Sequence, residues 1–171
     1  SVPGISNFHE LNVRVYAKRA DNHGVFFLSL DAADTLPVLI ARNGWHLPYY
    51  KASMRLDVAD NEVHYRSRRQ WPQPTLASLR THYRFDDSLR TAEPGSLAHF
   101  LLERYVLFAV SDGQLEIGRV HHEPYPHADV ELLELTHDMT APAGLPACDT
   151  PPDHVAYSPG VDVDVYALEP L

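Results

Sequence analysis

The chain has 171 residues, of which 44% are apolar, and carries a formal net charge of −9. That is apolar material enough for a single packed domain over residues 1–171, and too much for a disordered chain. The acidity argues against nucleic acid as a partner, because nonspecific affinity for it comes mostly from neutralising phosphates.

The most apolar stretch, LAHFLLERYVLFAV, is interrupted by Glu103 and Arg104. No run reaches the ~18 apolar residues that a membrane span requires, so no membrane partner is expected. Cys148 is the only cysteine, which forbids an intrachain disulfide and suits a reducing cytoplasm. No basic-then-apolar secretory signal opens the chain, and a cytoplasmic location is expected.

The first element is FHELNVRVYAK, from Phe8 to Lys18. Leu11, Val13 and Val15 alternate with Glu10, Asn12, Arg14 and Tyr16, which predicts a strand with one apolar side. A turn at ADNHG and a second strand, VFFLSLDA, complete a hairpin. Asp34 then caps an expected helix, TLPVLIARNGW, with Pro37 in its first turn and Asn43-Gly44 at its end. YYKASMRLDVA and EVHYRSRRQ form a second hairpin about an Asp60-Asn61 turn.

TLASLRTHYRF follows as a strand, with Ser78, Arg80, His82 and Arg84 on its polar face. Ser96 is placed to cap a short helix, LAHFLLERY, whose apolar face is Leu97, Phe100 and Leu101. VLFAV, QLEIGRVHHE, ADVELLELT and the closing VDVDVYALE are further strands, with a helical turn at HDMTAPAGL and a loop at PACDTPPD. Strands that follow strands predict a mainly antiparallel sheet curled on itself, with a few short helices at one side.

The polar strand faces carry the chemistry. Glu10, Asn12 and Arg14 share one face; Tyr49, Lys51, Ser53 and Arg55 share another; His64, Arg66 and Arg68 a third. Turned inward, such faces form a cationic cavity suited to a small organic anion; turned outward, they are solvated walls. The ELNVR row also reads as a self-satisfied network of acid, amide and guanidinium. Lys51 is one of only two lysines. It becomes a Schiff-base nucleophile if burial or a neighbouring cation such as Arg55, Arg66 or Arg68 lowers its pKa; otherwise it snorkels beside two tyrosines.

His121 and His122 point to opposite faces of a strand, so RVHHEPYPH is not a metal site, and no metal is expected. His99 and Glu103, at i and i+4, read first as a helix-surface pair, and Glu103 is also retained among the ligand-facing candidates. No phosphate loop, GxGxxG or GxSxG motif occurs, and no cofactor is expected.

PGISNFHELNVRVYA, GVFFLSLDA, LPYYKASM, HYRSRR, PGSLAHFLLERYVLF and GRVHHEPYP occur in the order found in the YqjF-like bacterial proteins. The chain resembles that family, a domain of unknown function (number 2071), over nearly its whole length, and the family looks like a relative of acetoacetate decarboxylase. The resemblance implies a conical, mostly antiparallel β-barrel with flanking helices and an internal cavity. It also points to a Schiff-base lysine just after a proline at the start of a strand.

The corresponding proline here is Pro48, so the nucleophile's position is held by Tyr49. Lys51 lies on the same face, roughly 6.5 Å further along, with no second lysine beside it. Glu10 resembles a pocket glutamate of the decarboxylases. The family's usual segment before VPG is absent, which implies a piece of a longer protein or a homo-oligomer that supplies the missing strands.

Three functions follow. The first is a barrel pocket that binds a small organic anion through Asn12, Arg14, Tyr49, Arg66 and Glu103. The second is a Schiff-base lyase acting on a keto acid, with Lys51 and Glu10 catalytic. The third is an interaction module with a filled barrel.

Overall fold

The computed structural model describes residues 9–34, 47–72 and 77–171. The expected helix at TLPVLIARNGW lies outside these residues. The described strands are β1 (Glu10–Arg19), β2 (Asn22–Ala32), β3 (Tyr49–Ala59), β4 (Glu62–Trp71), β5 (Ser78–Phe85), β6 (Val106–Ser111), β7 (Gln114–His122), β8 (Ala128–His137), β9 (Ala156–Tyr157), β10 (Val163–Val165) and β11 (Glu169–Pro170). One helix, α1 (Leu97–Leu102), precedes β6, and a single 3-10 turn spans Ala141–Ala143.

Alternating sequences and short turns made the first two hairpins predictable; these two and the β6–β7 hairpin each close with a two-residue loop. The register pairs Arg19 with Asn22, Ala59 with Glu62, and Ser111 with Gln114. Each loop begins with a residue at positive φ: Ala20 at 50°, Asp60 at 52° and Asp112 at 51°. Such loops match the right-handed twist of the strands they join.

The strand order is β10-β7-β6-β2-β3-β4-β5-β8-β9, with β1 on β2 and β11 on β7. Among the described residues this sheet is not closed into a barrel. Nor is it wholly antiparallel, because β2 runs parallel to both β3 and β6.

β2 is the centre of the molecule. Val25 pairs with Tyr16 of β1 and with Leu107 of β6; Leu30 pairs with Asn12 of β1 and with Tyr49 of β3. A residue bonded to two strands uses opposite edges, so β1 holds one edge of β2 throughout. β6 and β3 divide the other, one at each end. The sheet therefore forks into a leaf of β6, β7, β10 and β11 and a leaf of β3, β4, β5, β8 and β9.

Two glycines permit the close approaches at the fork's first leaf. A Cβ on Gly24 would stand 2.5 Å from the Val106 carbonyl oxygen, and one on Gly118 would meet Leu107 and Leu168 at 2.9 Å. The core here is Val25, Leu107 and Ala109, with Tyr16, Phe27, Leu47, Val120 and Leu168 packed on it.

Two elements differ from the sequence reading. VDVDVYALE is not one strand: β10 and β11 both pair with β7, but the register slips by one residue between Val165↔Val120 and Glu169↔Ile117. Leu168 turns in against Gly118 at that slip. The helix α1 starts as predicted, with the Ser96 side chain accepting from the His99 N–H at 3.1 Å, but it stops at Leu102 and has no fully buried residue. Phe100 instead lies against Tyr16, with ring centroids 4.7 Å apart, and beneath the Arg104 guanidinium at 4.3 Å.

The second leaf is tied to β2 by a buried ion pair. Arg69 of β4 donates to both oxygens of Asp31 on β2, the shortest contact being 2.6 Å, and the two side chains are 1% and 0% exposed. The Arg69 guanidinium stacks on the Tyr50 ring of β3 at 3.7 Å. Removing one partner of such a pair strands the other as an unpaired buried charge. Arg69→Met is therefore expected to cost about 3–5 kcal/mol, read as a lowered urea midpoint, with the double variant Asp31→Leu/Arg69→Met recovering most of the loss.

Candidate functional site

The candidate residues separate into three groups. The first is centred on Glu10, at the start of β1. Its Oε1 accepts from the Tyr49 hydroxyl at 2.7 Å, and its Oε2 accepts from Asn12 Nδ2 at 3.4 Å. The Tyr65 hydroxyl donates to the Glu10 backbone carbonyl at 3.1 Å and lies 3.2 Å from Met54 Sδ. Burial pushes the Glu10 carboxyl above its usual range, against the opposing pull of the Tyr49 and Asn12 hydrogen bonds. Tyr49 is pushed far up by burial and by the facing Glu10 carboxylate, and Tyr65 is pushed up to about 12 by burial with Asp31 and Glu10 adding. The site is thus a shielded acid that two neighbours can hydrogen-bond in its ionised form.

Lys51 shares the Tyr49 face of β3, and its ammonium donates to the Ala33 backbone carbonyl. The expected activating arginines are not across the strand from it. The register puts Lys51 opposite Trp71, whereas Arg68 faces Ser53 and Arg66 faces Arg55.

The second group joins Arg14 and Glu103. Arg14 Nη2 donates to the Leu101 carbonyl at 2.8 Å, so the ELNVR row is not one self-contained network. Glu103 is only 8% exposed and does not pair with His99 on the helix surface. Its carboxylate accepts from the Tyr105 hydroxyl at 2.5 Å and from the Tyr125 N–H at 3.0 Å. Burial pushes the Tyr125 phenol up, with Arg14 opposing and Glu103 adding. The buried His122 stacks on Tyr105 with centroids 4.5 Å apart, while His121 is exposed, as the strand period requires.

The third group contains Arg66. Cα partners run Arg55↔Arg66↔Arg80 straight across β3, β4 and β5. Arg68 faces Ser53 and Ser78 in the next row. Together these six line a groove of about 620 Å³. Arg55 is engaged by Asp57 at 2.7 Å, and Arg80 reaches Glu134 at 4.0 Å. Neither Arg66 nor Arg68 has a carboxylate within ion-pairing distance among the described residues. Like charges directly opposite on neighbouring strands repel, and Asp57 and Glu134 offset part of that repulsion at Arg55 and Arg80.

Sequence reasoning passed over Asp31, Arg69, Tyr65 and Tyr125. The signal for Asp31 was present: an acid within the apolar strand VFFLSLDA needs a buried partner. Two hydroxyls on the same strands, Ser29 Oγ and Ser67 Oγ, are buried without a hydrogen-bond partner.

A raised Glu10 pKa means that folding favours the protonated acid. Its contribution to stability is present below the ordinary glutamate range and is lost as pH rises through the folded-state pKa. Wild-type stability, measured by urea unfolding across pH 4 to 8, should therefore fall relative to Glu10→Gln as pH rises.

The fold resembles that of a solved acetoacetate decarboxylase from Legionella pneumophila subsp. pneumophila str. Philadelphia 1. The TM-score is 0.53 at 14% identity, over 96% of this chain and 67% of that one. In sequence, the chain is 34% identical over 151 residues to the uncharacterized protein YqjF of Bacillus subtilis (strain 168), covering 85% of this chain and 62% of that protein. It thus spans less than two thirds of that relative's length. The model of the family DUF2071, described as an uncharacterized conserved protein, matches residues 1–162. The chain belongs to this YqjF-like family, and its fold is related to that of acetoacetate decarboxylase.

Proposed function

We propose that this chain is an acetoacetate decarboxylase-like module that binds a small organic anion on the arginine row of β3, β4 and β5. The observation that carries the reading is the in-register Arg55–Arg66–Arg80 row beside Arg68, in a chain of net charge −9. Arg55 and Arg80 are engaged by Asp57 and Glu134, which leaves Arg66 and Arg68 as the two guanidiniums of this wall with no ion pair among the described residues. A carboxylate or phosphate seated among them accepts bidentate, charge-assisted hydrogen bonds. Ser53 flanks the row as a neutral donor, while the Ser78 hydroxyl donates to Asp138 at 3.2 Å. Arg66 is the member of the sequence-derived pocket that belongs to this wall.

In this reading the sheet curls into a barrel. The likeness to the decarboxylase fold supports that, as does the outer edge of β1, which pairs with no strand among the described residues. An open edge of ten residues is a template for a further strand, so a second copy or another stretch of chain is proposed to pair there.

A second reading is favoured by the shielded Glu10. An acid whose burial raises its pKa, bonded to Tyr49, whose strand face Lys51 shares, is suited to exchange a proton with a keto acid held as a Schiff base on that lysine. Borohydride treatment with acetoacetate or pyruvate separates the two. A mass adduct absent in Lys51→Arg establishes the lyase; no adduct leaves the anion-binding reading.

The anion reading is tested by isothermal titration with citrate and with inorganic phosphate. At least one should bind, with affinity falling as salt rises. Arg66→Gln should weaken it about tenfold or more, the equivalent of one charged hydrogen bond. Absence of binding by both, or binding indifferent to Arg66→Gln, overturns the proposal.

A further inference from the structure

Two residues along from the arginine row, the same face of β4 and β5 carries a different set of side chains. His64 lies directly opposite His82, and Glu62 opposite Arg84. The two imidazoles stack with centroids 3.9 Å apart and planes 18° from parallel. His82 Nε2 lies 3.3 Å from Glu62 Oε2. One ligand atom from each of Glu62, His64 and His82 lies within 4.8 Å of the other two.

The carboxylate is already oriented. Arg84 donates to Glu62 Oε1 and, through its other terminal nitrogen, to Glu131 Oε2 at 3.0 Å. Oε2, the oxygen that Arg84 does not engage, faces His82 Nε2. An outer partner that fixes a ligand's orientation in this way is typical of metal centres. Asp57, opposite His64, and Glu134, opposite His82, add negative charge that offsets Arg66 and Arg80.

We propose that Glu62, His64 and His82 form a binding site for one divalent transition-metal ion of the zinc type, with its remaining coordination position open to solvent or to a further ligand. Two imidazoles and one carboxylate are a donor set that zinc accepts, and that calcium or magnesium, which prefer oxygen ligands, do not. Bonds of about 2.0–2.1 Å in a tetrahedron bring ligand atoms to about 3.4 Å of one another. Rotation of three side chains that are not fully buried closes the remaining gap and opens the ring stack. A mere contact pair of stacked imidazoles would need no carboxylate beside it and no arginine behind that carboxylate.

The proposal stands apart from the anion reading, and its test contains no organic anion. Tag-free, EDTA-stripped protein is titrated with Zn2+ by calorimetry and with Co2+ by visible absorption. The expected result is one equivalent of each and tetrahedral Co2+ bands. Affinity should fall at least tenfold in His64→Gln and in His82→Gln, and be unchanged in His121→Gln. Circular dichroism checks that each variant is folded. In the wild type, Zn2+ should also shift the ring resonances of His64 and His82, a readout that needs no variant. Failure of the wild type to bind either metal, or ring shifts confined to other histidines, overturns the proposal.

Discussion

The buried contact between Asp31 and Arg69 is the constraint on which the second leaf depends. Neither charge would remain in a core alone, and each satisfies the other across the intervening strand β3, with Tyr50 as the lid on the guanidinium. Because Arg69 arises from β4, the pair fixes how β3 and β4 run past the end of β2. That in turn sets where Tyr49 meets Glu10 and on which face Arg66 emerges. A hydrophobic replacement would pack as well; the ion pair adds direction, since a bidentate fork tolerates one approach.

Local pattern made much of this legible. β3 was readable to the residue because its period-two alternation is bounded by Pro48 on one side and Asp60-Asn61 on the other. The first two hairpins followed from their turns, and the Ser96 cap from its place before an apolar helix. Nonlocal pairing was not readable. Nothing in VFFLSLDA says that it will lie parallel to both Tyr49–Lys51 and Leu107–Phe108, or that Gly24 makes room for Val106. The closing segment was read as one strand because its alternation is unbroken in sequence; the one-residue slip on β7 comes from Leu168 turning in toward Gly118.

The site was legible as residue types on faces, and not as groupings. Alternation placed Arg55, Arg66 and Arg80 on polar faces, but only strand register aligns them in one row. His64 and His82 are far apart in sequence, so no spacing rule for metal ligands would join them. Conversely, Glu103 looked like a surface acid from its helix spacing. Helix α1 ends one residue earlier, and that turns the carboxylate inward toward Tyr105 and Tyr125.

The fork in β2 has a mechanical consequence. Between Val25–Phe26, which bond β6, and Leu30–Ala32, which bond β3, the strand pairs with β1 alone. The register of β1 against β2 also skips Leu28 at that point. The two leaves are therefore joined in series through a three-residue joint, and β1 is the splint laid across it. Whatever fastens the outer edge of that splint stiffens the joint, and so sets the angle at which the arginine-bearing leaf stands to the rest of the molecule.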